Sequence, residues 1–318
     1  MSNVSRHTEA PMTLDDCETH FTAIRLSRDA LEVRSRLRVL LDAYPVVSFE
    51  LGRGSVFWRA RKVGVKPHDN AADVGYPPIA ATPQGRLNDL GAPSLYAATR
   101  RTTALREIGV AAGDHVQVMG FRVKPDRTLR LGAIGELFHV YKTGYIRSLG
   151  KDPENALSRI LNGEGLDEGT RLIYIDAFLA SLLADPNAPD KDYLASRALA
   201  ALAYEDSGAD GLFYPSVQDD HGMNVAIKPG QYDIATHVVC CQFIKVDRVR
   251  EFGIVDFQVL QEAANVDDYG NFEWRTPGAQ NITRFFGLTE REHHFLTSQP
   301  QSDGNAFLEL TKLHHGDG

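Results

Sequence analysis

Apolar residues recur along this chain with two periods, and the switches between them outline its elements. From Asp29 to Tyr44 the positions Val33, Leu37, Leu40, Leu41 and Tyr44 fall at helical spacing, which predicts an amphipathic helix ended before Pro45. Ser55 to Ala60 reads as a strand. Residues 64–93 are instead rich in Gly, Pro, Asn and Asp and predict a long loop, of a length that inside a domain is functional or disordered. Pro93 to Ala98 reads as a short strand, after which Thr99 or Thr102 is placed to cap a helix running through Glu107. His115 to Val123 alternates as a strand does, and Thr128 to Leu131 predicts another. The region 152–207 is helical in pattern. Ile175, Phe178, Leu179, Leu182 and Leu183 make one apolar stripe, and Tyr193 to Tyr204 is an alanine-rich helix. Strands return at Gly211 to Tyr214, Asn224 to Ile227 and Val238 to Val246. Residues 1–13 read as a polar tail, and residues 251–318 mix short apolar runs with polar turns that assign no element.

A few strands, a block of helices and then more strands predict an α+β fold, with a mixed or antiparallel sheet carrying a cleft and helices packed around it. The pattern does not alternate strand and helix, and no G-x-G-x-x-G or G-K-[ST] follows a strand, which argues against a Rossmann fold and a P-loop. The 318 residues exceed the usual single domain of about 100–200. They divide into a tail and amphipathic helix (1–50), a central domain (51–250) and a C-terminal extension (251–318). With 43% apolar and 24% charged residues the composition is that of an ordinary globular protein, able to build its core without disulfides. The net charge of −8 argues against a general nucleic-acid binder, which carries a basic face for phosphates. Cys17 and the adjacent Cys240 and Cys241 form neither a disulfide framework nor a C-x-x-C zinc site, so reduced, packed thiols are expected. No apolar leader opens the chain and no run approaches the ~18 apolar residues of a membrane span, so a soluble, cytoplasmic protein with no membrane association is expected.

Residues with chemical potential crowd into Gly85-Arg86-Leu87-Asn88-Asp89-Leu90-Gly91-Ala92-Pro93-Ser94-Leu95-Tyr96, followed by Thr103-Ala104-Leu105-Arg106-Glu107. By composition alone this is a loop, a strand and a helix bearing a carboxylate, and glutamates on exposed helix faces are common. The spacing of the glycines, Asn88, Pro93 and Leu95-Tyr96, with Thr103-Ala104 and Glu107 after them, resembles the core signature of the RES-domain toxin family. Phe57-Trp58-Arg59-Ala60-Arg61 upstream resembles that family's early aromatic-arginine strand, and Asp210-Gly211-Leu212-Phe213-Tyr214-Pro215-Ser216 downstream its late serine motif.

The resemblance implies a fold similar to that of ADP-ribosyltransferases and a reaction on NAD⁺ by hydrolysis, phosphorolysis or ADP-ribose transfer. It maps the family's arginine, tyrosine, glutamate and serine onto Arg59, Tyr96, Glu107 and Ser216. These residue types suit the chemistry. Cleavage of the nicotinamide–ribose bond builds positive charge on the ribose, which a carboxylate such as Glu107 stabilises. Glu107 would alternatively orient a ribose hydroxyl or activate the incoming water or phosphate. An arginine fork suits the pyrophosphate, with Arg59 the first candidate and Arg86 the second. Tyr96 offers an apolar face and a hydroxyl to the nicotinamide or ribose. Ser216 is read as a positioning hydroxyl, since no G-x-S-x-G elbow surrounds it. The bland alternatives are a surface ion pair for Arg59, strand packing for Tyr96 and a turn-shaping role for Ser216.

The implied activity is an NAD⁺ glycohydrolase or phosphorylase. Its alternatives are a mono-ADP-ribosyltransferase using the same site on a macromolecule, and an inactive NAD-binding regulatory module. NAD⁺ would be substrate, inorganic phosphate a co-substrate, and no prosthetic group is expected. A homodimer or an antitoxin-like or immunity protein follows as a partner from the resemblance alone. Compact members of the family are shorter, so the helical block at 140–207 reads as an insertion. His293-His294 and His314-His315 lack metal-ligand spacing, and Asp219-Asp220-His221 reads as a polar turn that borders the site at most.

Overall fold

The computed structural model describes residues 12–278 except 55, 147–149, 152–158, 160–164 and 221; the two histidine pairs lie outside these residues. Two helices open it. The first, α1 (Leu14–Leu26), was not anticipated, although its start carries a capping box: Thr13 Oγ1 accepts from the Asp16 amide, and Asp16 in turn accepts from the Thr13 amide. It buries Cys17, Phe21 and Ile24 along one face. The predicted amphipathic helix follows as α2 (Ala30–Asp42), capped by Asp29 and burying Val33, Leu37, Leu40 and Leu41.

The chain continues through β1 (Val47–Leu51), β2 (Val56–Val63), the one-turn helix α3 (Ala71–Val74), β3 (Leu95–Ala98) and α4 (Arg101–Glu107). After these come β4 (His115–Val123), β5 (Leu129–Ala133), α5 (Glu136–Thr143) and a minimal hairpin, β6 (Tyr145–Ile146) with β7 (Gly150–Lys151). Two long helices, α6 (Leu166–Leu183) and α7 (Leu194–Ser207), precede β8 (Gly211–Pro215), β9 (Met223–Ile227) and α8 (Pro229–Ala235). The described chain closes with β10 (Thr236–Val249), β11 (Val255–Val266) and β12 (Phe272–Arg275). The unassigned C-terminal stretch thus contributes two strands. The threonine caps foreseen for α4 are not formed: Arg100 is its N-cap, Thr99 Oγ1 donates instead to the Met223 carbonyl, and Thr102 lies inside the helix.

Ten strands form one mixed, mostly antiparallel sheet in the order β1-β5-β8-β9-β3-β2-β4-β10-β11-β12, with β5–β8 its parallel pair. The fold is α+β, as expected. Helices α1, α2, α5, α6 and α7 cover one face of the first half of the sheet, where Phe21, Leu37, Phe178, Leu179 and Leu199 share a core with Leu212 and Ala226. The Phe21 and Phe178 rings stack at 3.9 Å between centroids. A second core contains Phe57, Phe121, Phe213 and Val225, and a third packs α4 through Leu105 onto Trp58, Val118, Ile244 and Phe257. The helical block is therefore fused to strands β8 and β9 through shared burial. Its anchor is Asp176, fully buried on α6, which accepts from the Tyr44 hydroxyl and from the Gly135 and Phe138 amides at the start of α5. Among the described residues no helix is long and apolar enough to cross a membrane.

Candidate active site

The sheet is continuous except at its centre. Strand β2 pairs with β4 along its length and β3 pairs with β9 along its length, but β2 and β3 meet only at Trp58 and Ala98. Beyond that pair the two strands part, and a cavity of about 390 Å³ opens between them, floored by Trp58, Arg59, Tyr96 and Ala97. That volume lies in the range of small-molecule sites. Arg59 spans the parting: its Nη1 donates to the Tyr96 carbonyl (2.5 Å) and its Nε to the Val74 carbonyl (2.6 Å). The guanidinium thus supplies donors where the sheet ladder does not. Burial, reinforced by Arg61, lowers its pKa to about 10, which still leaves it cationic at neutral pH. Two of the donors that the sequence assigned to a pyrophosphate are committed to the backbone. Its remaining Nη2 has no hydrogen-bond partner among the described residues.

Glu107 ends α4 at one side of the cavity and is solvent-exposed. Its Oε1 accepts from Ser216 Oγ (2.5 Å) and from Asn224 Nδ2 (2.7 Å), while Oε2 has no partner among the described residues. Ser216 is itself fixed: its Oγ accepts from the Gln218 and Asp219 amides, and its amide donates to the Gly222 carbonyl. A hydroxyl that accepts two amides and gives its single proton to a carboxylate has the arrangement expected of a positioning group rather than of a free nucleophile. Asn224 is one of the residues that reading did not single out. It projects from β9, is buried, lines the cavity and leaves its Oδ1 without a partner.

The loop after Ser216 is tied back to α4, since Asp219 accepts from Thr103 Oγ1 (2.5 Å) and from Arg106 Nη1 (2.8 Å). The polar turn is therefore a strut that joins the two segments carrying Glu107 and Ser216.

On the opposite side the Gly85–Asn88 turn is held by Tyr96. The tyrosine hydroxyl donates to Asn88 Oδ1 (2.7 Å) and accepts from the Leu87 amide (2.9 Å), so its ring faces the cavity but its polar end is used internally. Burial raises its pKa. A Cβ on Gly85 would collide with Asn88 Oδ1, which explains the glycine. Arg86 donates to the Asp185 carbonyl (2.9 Å) and lies over the Tyr193 ring. The helical block thus reaches the cavity, through Pro186, Pro189 and Tyr193. Tyr193 and Asp192 both hold positive φ, 56° and 52°, a costly conformation for non-glycine residues that concentrates at functional sites. Tyr214, buried beside Tyr96, completes the aromatic lining.

Five residues singled out in sequence are thereby brought to one place: Arg59, Arg86, Tyr96 and Glu107 line the cavity, and Ser216 adjoins it through Glu107. Residues 56–247 match the family model of the RES domain. The chain belongs to the RES-domain family. This family is associated with NAD-related toxin function. Comparisons with curated proteins and with solved structures returned no match. The RES-domain match runs through the helical block and ends within β10, whereas the sheet of this chain continues through β11 and β12. Among the described residues no group of three or more His, Cys, Asp or Glu side chains is placed to hold a metal ion. Tyr214 fell within the late serine motif but was given no role of its own, and Asn224 and Tyr193 carried no spacing signal. A polar residue inside the apolar strand Met223–Ile227 was the one available hint of Asn224.

Proposed function

We propose that this RES domain cleaves the nicotinamide–ribose bond of NAD⁺ and passes the ADP-ribosyl group to water or inorganic phosphate. The observation that carries the proposal is Glu107: one oxygen is immobilised by two donors, and the other is free beside an aromatic-lined cavity. In the reaction the bond between ribose C1′ and the pyridinium nitrogen breaks, and its electron pair neutralises the ring, so nicotinamide leaves without a proton donor. Positive charge develops at C1′ and the ring oxygen, where a carboxylate already fixed in orientation is stabilising. Water or phosphate then bonds to C1′, and the proton of an attacking water passes to Glu107 or to solvent. Tyr96, Tyr214 and Tyr193 offer flat apolar faces for the nicotinamide and adenine rings. Arg59 and Arg86 place positive charge beside the pyrophosphate. The cavity in the central parting of the sheet, beside Glu107, supports the reading by offering the substrate a place to bind.

The test is a time course of NAD⁺ with purified protein, with and without phosphate, following free nicotinamide. Release in buffer alone supports hydrolysis, and release that requires phosphate, with ADP-ribose 1″-phosphate formed, supports phosphorolysis. Label from NAD⁺ that ends on a macromolecule would assign a transferase instead. NAD⁺ that stays intact under both conditions and with cell extract would overturn the proposal.

A further inference from the structure

Asn224 presents a buried hydrogen-bond acceptor that the protein does not satisfy. Chemistry fixes the orientation of its amide: only the NH₂ end can donate to the Glu107 carboxylate, 2.7 Å away, so the carbonyl end is Oδ1. Oδ1 is buried and unpartnered, on a side chain only 3% exposed that lines the cavity. An acceptor stripped of water without replacement is costly, and its presence calls for a donor supplied from elsewhere. Glu107 Oε2 is a second acceptor without a protein partner, linked to the first through one N–H···O bond. Two neighbouring acceptors, one neutral and one anionic, match a group bearing two adjacent O–H donors. The pyrophosphate oxygens of a dinucleotide carry no proton at neutral pH, are acceptors only and fit neither.

We propose that Asn224 is a specificity-determining residue whose Oδ1 accepts a hydrogen bond from one hydroxyl of a furanose cis-diol, the other hydroxyl being taken by Glu107. The site then selects ribosyl over deoxyribosyl substrates. The proposal rests on the NAD⁺ reading, in which the diol is that of the nicotinamide ribose. It adds a role for Asn224 distinct from its grip on Glu107: one end of the amide orients the carboxylate, and the other reads the sugar.

Binding is the appropriate readout, because removing a sugar hydroxyl also alters the intrinsic lability of the glycosidic bond. NAD⁺ and its analogues lacking the 2′- or the 3′-hydroxyl of the nicotinamide ribose are titrated calorimetrically into Glu107→Gln protein, with and without Asn224→Ala. With Asn224 present, each analogue should bind about tenfold to a hundredfold more weakly than NAD⁺. In the Asn224→Ala protein the penalty for one of the two analogues should collapse to within about twofold, within the scatter of additive effects. If both penalties persist, the proposal is overturned. Asn224→Leu, which keeps asparagine's branching at Cγ, repeats the comparison should the alanine protein melt early. Asn224→Asp in the otherwise native chain gives an independent readout. It keeps an acceptor but sets a second carboxyl against Glu107, so the acid limb of kcat/KM should move to higher pH; an unmoved limb would count against the pairing. Binding with ribosyl selectivity but no nicotinamide release would sink the proposed reaction alone. Nicotinamide release with selectivity independent of Asn224 would sink this inference alone.

Discussion

Glu107 occupies the last position of a helix, where the backbone carbonyls repel a carboxylate. Ser216 and Asn224 offset that disadvantage and fix its orientation. Glu107→Gln keeps the shape and removes the charge, and should lower nicotinamide release on the order of a thousandfold with little change in melting temperature. Ser216→Ala removes one donor and should cost about tenfold in kcat, with a smaller effect on KM; an equal loss in KM would mean that Ser216 touches the substrate directly. Arg59, Tyr96, Glu107 and Ser216 were legible because motif spacing marks them. Asn224 was not, since a single asparagine in an apolar strand has no pattern around it, and its meaning depends on a partner 117 positions away.

The elements that carry these residues are joined by short polar ties. Tyr96 holds the Gly85–Asn88 turn, and Asp219 holds the Ser216 loop to α4. Gly85→Ala should destabilise the fold by about 1–3 kcal/mol, because the added methyl must displace Asn88 from Tyr96, and should weaken substrate binding in a calorimetric titration. Most helices and strands were legible from periodicity, α2 and α6 above all, because each buries one clean stripe. The start of α4 was not: both threonines have hydroxyls suited to capping, but Arg100 takes the cap position, Thr99 gives its hydroxyl to the Met223 carbonyl, and Thr102 falls inside the helix. Helix α1 escaped notice through its polarity, only Cys17, Phe21 and Ile24 being buried along it.

At the scale of the molecule, the sheet outruns the family's domain. Strand β11 covers β10, and Phe257 sits in the same core as Trp58 and Ile244. A chain cut after Val249 should aggregate on expression, since it exposes a long strand edge and the apolar residues beneath it, and size-exclusion chromatography would show this. The same architecture buries tyrosines wholly or in part. Tyr44, Tyr96, Tyr204 and Tyr214 all have pKa values raised by desolvation. Their folded values lie above the unfolded value of about 10, so their contribution to stability is whole below pH 10 and falls as pH rises above it, when only the unfolded chain ionises them. The urea midpoint should therefore decline steeply above pH 10, and ultraviolet titration of the native protein should leave these four phenols un-ionised there. The C-terminal strands were not legible in advance because their apolar positions are few and their burial is one-sided.

The parting between β2 and β3 has a consequence for solvent exchange. Amides in the middle of a ten-stranded sheet ordinarily keep their protons for hours or longer, the edge strands losing theirs first. Here the order inverts locally. Those backbone groups of Leu95–Ala98 that turn away from β9 face a cavity, apart from the one pair at Ala98 and the carbonyl held by Arg59. Deuterium should enter the centre of the sheet before it enters β4, and a bound dinucleotide should close that route, so that an occupied site is reported by labelling at the heart of the fold.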